Sequence, residues 1–137
     1  MARSVDLLLA VAAGSAAGGV ARYLLSESLQ ARAGTAFPLG TLLVNLTGCL
    51  ALGFIAHVVL STGEFSPTTR ALLTTGFCGG FTTFSAFAYE TVSLMEEGSW
   101  LRASMNVGMS VGIGLVGIFA GAMAAKWLLH LMRGGVA

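Results

Sequence analysis

Charge is scarce in this chain, and that scarcity excludes more than any motif does. Charged residues make up 9% of the 137 residues, whereas an ordinary soluble domain carries about 25%. Hydrophobic residues make up 55%, and the mean hydropathy is +0.84. So little charge cannot coat a soluble surface of this size, and the chain reads as an integral membrane protein. A net charge of +1 with no basic cluster excludes a nucleic-acid surface. Cysteine is nearly absent too. Cys49 and Cys78 are far apart, form no CxxC and lie in apolar runs, so each reads as a small packing residue. His57 and His130 have no second ligand at metal spacing and read as interfacial. No nucleophile–base pair and no phosphate loop is present, which leaves no case for an enzyme.

What remains is long uncharged runs. Leu7 to Ala21, Ala33 to Gly63, Ala71 to Tyr89 and Ala103 to Ala125 carry no Asp, Glu, Lys or Arg. A spanning helix needs about 20 apolar residues. With their flanks, the runs predict an all-α membrane protein of four spans, at about 5–25, 37–60, 70–95 and 101–131. The connections, at about 26–36, 61–69 and 95–101, leave no room for a second domain, so residues 1–137 read as one membrane domain. Pro38 suits the first turn of the second helix, where no backbone donor is lost. Arg3 followed by Leu7–Ala13 superficially resembles a signal peptide. Asp6 spoils the leading charge and the apolar run continues to Leu25, so the stretch is read as the first span.

Four spans put both termini on one side. That side holds Arg3, Arg70, Lys126 and Arg133; the other holds Arg22, Arg32 and Arg102. A bias of one charge barely orients a membrane protein. The balance predicts insertion both ways round, with two opposite copies forming one inverted dimer. Close helix contacts are provided for by Gly14/Gly18, Gly108/Gly112 and Gly117/Gly121, small residues four apart.

The third run is unlike the others. Gly76-Phe77-Cys78-Gly79-Gly80-Phe81-Thr82-Thr83-Phe84-Ser85-Ala86-Phe87 combines helix-weakening glycines with hydroxyls and aromatics. Each interior glycine costs a helix roughly 1 kcal/mol relative to Ala. A break inside a bilayer survives only where protein, water or an ion satisfies the freed backbone, so this stretch predicts a helix broken mid-membrane that holds or passes an ion. The other polar residues inside the spans are the functional candidates. Thr41 and Asn45 share a face of the second helix, and Asn106 and Ser110 share one on the fourth. No Lys or Arg lies mid-span, so an anion path there relies on neutral dipoles. Phenyl rings are electropositive at their edges. Phe84 and Phe87 beside an amide donor would tolerate a small anion without holding it tightly, which suits conduction. Arg22, near a span end, draws anions toward an entrance or snorkels to the headgroups. Glu90 closes the third span as the only acidic candidate near the bilayer.

These residues resemble the Fluc/CrcB family of fluoride channels along nearly the whole chain. The resemblance rests on Gly18-Gly19-Val20-Ala21-Arg22-Tyr23, on Gly40-Thr41-Leu42-Leu43-Val44-Asn45, and above all on the third-span motif from Thr75 through Phe87 with Tyr89-Glu90 after it. It implies an antiparallel, dual-topology homodimer in the inner membrane with two fluoride pores. It also implies a structural Na⁺ on the dimer axis, held by the main-chain carbonyls of Gly79 and Thr82 from each copy. Phe84 and Phe87 match the aromatic pair of the pore, Asn45 the pore asparagine, and Ser110 the polar track of the fourth span. Thr41, Thr83, Ser85 and Arg22 complete the implied pathway, along which cytosolic fluoride leaves passively. A small dual-topology, proton-coupled multidrug exporter would share the size and charge balance but needs a mid-membrane carboxylate. A scaffold subunit would leave the broken span unexplained.

Overall fold

The computed structural model describes residues 2–134. The side chain of Arg3, one of the charges counted on the terminal side, lies outside what is described. The fold is helical throughout the described residues: α1 Ala2–Ala33, α2 Leu39–Ser61, α3 Pro67–Ala71, a π-helical segment Leu72–Cys78, α4 Gly79–Phe81, α5 Phe84–Glu96 and α6 Trp100–Gly134. Four helical stretches are long and apolar enough to cross a membrane: Ser4–Ala33, Leu39–Ser61, Pro67–Glu96 and Trp100–Arg133. Their outer faces carry exposed leucines such as Leu8, Leu101 and Leu115, as a lipid-facing surface requires.

The connections are shorter than the sequence suggests, because leaving the apolar zone does not end a helix; a cap does. The first helix runs on through Ser26, Glu27 and Arg32 and stops where Gly34 adopts φ 58°. Gln30 then staples the turn. Its amide nitrogen donates to Thr35 O at 2.6 Å and Phe37 O at 3.1 Å, and its Oε1 accepts from Gly40 N at 3.0 Å. Gly98, at φ 75°, closes α5 in the same way, with Ser99 N–H reaching back to Leu94 O at 2.8 Å. The third span opens at Ser66, whose hydroxyl accepts from Thr69 N at 3.1 Å, with Pro67 in the first turn.

The glycines of the third span do not interrupt it. Gly76, Gly79 and Gly80 are all helical, and the chain becomes extended only at Thr82 (ψ 158°) and Thr83 (φ −148°, ψ 121°). What Gly76 and Gly80 provide is close approach to α1. A Cβ on Gly76 would lie 3.0 Å from Gly14 Cα, and one on Gly80 would lie 2.8 Å from Ser15 Cα. The small pair Gly14/Gly18 sits in the same seam: a Cβ on Gly14 would meet Phe77 N at 2.8 Å, and one on Gly18 would press on Phe77 O and on Phe81 N. Across the molecule α2 and α6 run parallel and in backbone contact. Gly53 abuts the Ile118 carbonyl, and Gly121 abuts Leu50 O and Phe54 N. The pair Gly108/Gly112 faces open space within the chain, so it takes no part in this packing. Gly18→Ala is expected to destabilise by about 1–3 kcal/mol through overpacking against rigid backbone. Gly19→Ala, with nothing within 4 Å of its Cβ, should leave stability unchanged or slightly raised. Thermal unfolding of both variants in detergent checks the contrast; equal midpoints would refute the seam.

Candidate functional site

The extended pair Thr82–Thr83 is stabilised from another helix. Asn45, about two turns into α2, offers its side-chain amide to the Thr83 backbone in two directions. Its Oδ1 accepts from Thr83 N at 2.7 Å and its Nδ2 donates to Thr83 O at 2.9 Å. An asparagine thus replaces the helical ladder for one residue. The next helix restarts on a local cap: Thr83 Oγ1 accepts from Ala86 N at 3.2 Å. The Thr82 hydroxyl turns back to donate to Cys78 O at 3.1 Å.

These diversions leave main-chain carbonyls over. The N–H that would serve Gly79 O in a helix belongs to Thr83 and goes to Asn45. The N–H that would serve Thr82 O belongs to Ala86 and goes to the Thr83 hydroxyl. Neither carbonyl takes a hydrogen bond from another described backbone group. Gly80 O is satisfied differently, by Arg22 Nε at 3.3 Å. The oxygens left free at the break are those of Gly79 and Thr82 and also that of Phe81, to which Ser85 N–H makes no bond. Neutral carbonyl oxygens suit a hard cation. No group of three or more His, Cys, Asp or Glu occurs among the described residues.

Beside the break lies a cavity of about 240 Å³. Asn45 and Cys49 of α2, Thr82 to Phe84 and Phe87 of the third span, and Ser110 and Val111 of α6 line it. Phe84 and Phe87 stand with ring centroids 5.4 Å apart and planes inclined at 56°, so the pair presents edge as well as face. Phe84 is 79% exposed, held within the chain by little besides its neighbour. Ser110 Oγ is buried and has no hydrogen-bond partner, an unusual state for a hydroxyl. Its donor is uncommitted within the chain.

A second cavity, about 160 Å³, lies on the far side of Thr83, with Arg22, Thr41, Thr83 and Glu90 among its lining. The Thr41 hydroxyl donates to Glu90 Oε1 at 2.5 Å, while Glu90 Oε2 is buried without a partner. Arg22 is not at a helix end but well inside α1, reaching toward the break. Ser85 is exposed, with its hydroxyl 3.2 Å from Thr83 Oγ1.

Asn45, Phe84, Phe87, Thr83 and Ser110 therefore converge on the first cavity, and Thr41, Arg22 and Thr83 on the second. Ser85 lines neither. Asn106 shares a helical face with Ser110 but not its cavity. It is 1% exposed and donates through Nδ2 to Thr91 Oγ1 at 2.9 Å, and Thr91 in turn donates to Phe87 O at 2.7 Å. Cys49 was read as packing but lines the cavity with Asn45. Its position four residues on from Asn45 is the signal that places it there.

A family profile described as "CrcB-like protein, Camphor Resistance (CrcB)" matches residues 9–122. A protein of Geobacter sulfurreducens named "Fluoride-specific ion channel FluC" is 51% identical over 121 residues, covering 88% of this chain and 98% of the relative. One of the same name from Chlorobaculum tepidum is 50% identical over 119 residues, covering 87% and 94%. A third, from Roseiflexus, is 43% identical over 121 residues, covering 88% and 98%.

Proposed function

The chain belongs to the CrcB family, and from that premise we propose that it is a fluoride-selective channel that lets cytosolic fluoride leave passively. It is a multi-pass protein of the plasma membrane. The single observation that carries the reading is the buried, unpartnered Ser110 hydroxyl in a cavity shared with Asn45, Phe84 and Phe87. Fluoride is small and strongly hydrated, so a path must supply donors in place of water. Ser110 Oγ–H and the second N–H of the Asn45 amide are available, and the ring edges add a weak field. Among the described residues no Lys or Arg lines this cavity, so no fixed cation there traps the ion. The extended break at Thr82–Thr83 separates it from the second cavity, where the Arg22 cation shares the lining with the carboxyl groups of Glu27 and Glu90. Thr83 borders both, so we assign the Asn45–Thr83 junction as the narrow point of the path.

One chain leaves the site unfinished. Free carbonyls at Gly79 and Thr82 would cost several kcal/mol each if left to lipid. Gly79 and Phe84 are both exposed. A second copy covers them, and near-equal charge on the two sides favours an inverted one, with the break lying inside the membrane. The same carbonyls, two from each copy, form an oxygen set suited to a structural Na⁺. When bound, that ion neutralises the converging carbonyl dipoles. Exchanging Na⁺ for N-methyl-D-glucamine is therefore expected to lower fluoride flux and loosen the dimer in size-exclusion chromatography, with Na⁺ restoring both. A dimer and a flux indifferent to Na⁺ would refute the cation site.

Glu90 is the observation that favours a proton-coupled exporter, since it sits in a cavity with one oxygen free. Liposomes separate the two readings. Fluoride release under a valinomycin voltage clamp, without chloride release and without a proton gradient, supports the channel. Organic-cation transport driven by a pH gradient, with no fluoride release, would replace it.

A further inference from the structure

The channel reading leaves unused a notch at the terminal end of the α2–α6 pair. His57 and Ser61 of α2 face Lys126, Leu129, His130 and Arg133 of α6 across a cavity of about 370 Å³. The spacing is that of helix faces: four residues on α2, and steps of four and three on α6. Because the two helices run parallel, both stripes reach the same end. The Arg133 guanidinium is held there by Ser61 O at 3.4 Å. Among the described residues no carboxylate lines the notch, and Lys126 and Arg133 have no acidic partner there. Two imidazoles add ring N–H donors.

We propose that this notch is a binding site for the phosphodiester headgroup of an anionic phospholipid. The donor chemistry fits a phosphate: a planar guanidinium, an ammonium and two imidazoles around one space. Its position argues for a lipid rather than a free anion. The notch lies where α2 ends, at the edge of a span, where cations meet headgroups. Leu129 supplies an apolar wall, and Trp127, Leu131 and Met132 are exposed beside it on α6, an apolar flank for acyl chains. The notch is also not a mouth of the Asn45 cavity along α2–α6. Between the two, Gly53 closes on the Ile118 carbonyl and Gly121 on Leu50 O.

The test uses the full chain in vesicles, with Trp100→Phe so that Trp127 is the only indole. Trp127 fluorescence is quenched with brominated phosphatidylglycerol or brominated phosphatidylcholine at equal mole fraction. The expected result is preferential quenching by phosphatidylglycerol. Lys126→Gln and Arg133→Gln should each weaken that preference about 5-fold, as one cation near an anionic surface does. Arg102→Gln, at the other end of α6, should leave it intact. Both notch residues are exposed, so their substitution spares the fold. Equal quenching by the two lipids, or a preference that survives the double variant, would overturn the site. Loss of the preference on adding inorganic phosphate would assign the notch to a soluble anion and overturn the lipid. Fluoride flux is read separately, so failure here leaves the channel reading standing.

Discussion

Asn45→Asp is expected to reduce fluoride efflux from liposomes to the background of empty vesicles. Two effects act together. The amide both accepts from and donates to the Thr83 backbone, at 2.7 and 2.9 Å. A carboxylate keeps the acceptor but sets a second oxygen against Thr83 O, so the donated bond becomes a repulsion. The new charge also faces the permeating anion. Two like charges 4 Å apart repel by about 4 kcal/mol at the effective dielectric near a protein surface, or about a thousand-fold in rate. Asn45→Ala separates the two effects. It loses both bonds but adds no charge, so its flux should fall less than that of Asn45→Asp while its stability falls by about 1–3 kcal/mol. Efflux is measured with an electrode on variants that still elute as folded protein. Normal flux in Asn45→Asp would remove Asn45 from the path.

The same contact marks the limit of what the sequence discloses. Four spans were legible because hydropathy and sparse charge report burial in lipid directly, residue by residue. What holds the break open was not. Glycines weaken a helix, and the third span is rich in them, so an interruption was expected within Gly76–Phe87, where it lies, but with the glycines as its cause. In the fold, the Gly76 and Gly80 backbones lie against Gly14 and Ser15 of α1, and the extended residues are threonines. What permits the break is an asparagine 38 residues away in the chain, and no local pattern reports such a partner. Thr41 and Glu90, 49 residues apart, meet for the same non-local reason. Helical spacing went further. It brought Ser110 to the cavity and could have brought Cys49. Yet it also grouped Asn106 with Ser110, and there it failed, because Thr91 offers Asn106 a hydroxyl on the packed side of α6.

Phe84→Ile and Phe87→Ile should each lower fluoride flux about ten-fold, equivalent to about 1.4 kcal/mol of lost stabilisation at the barrier. Isoleucine retains most of the apolar volume but has no electropositive edge, so the substitution removes the field rather than the filling. The geometry makes the two rings unequal in their structural consequences. Phe84 is 79% exposed in the chain, so its loss costs the chain's own packing little. Phe87 is half-buried, and its carbonyl anchors Thr91, which in turn holds Asn106. The backbone anchor survives replacement of the ring, so the fold should persist in both. The two sites should also couple. With centroids 5.4 Å apart, removing one ring frees its neighbour to tilt, and the double variant should lose less than the sum of the single losses. A double-mutant cycle of efflux rates, with thermal midpoints on the same samples, reads both quantities. Lower flux at unchanged stability assigns the rings to the permeation path. Unchanged flux in both single variants would return them to packing and leave the polar groups of the cavity, Ser110 and Asn45 foremost, to replace the water around fluoride.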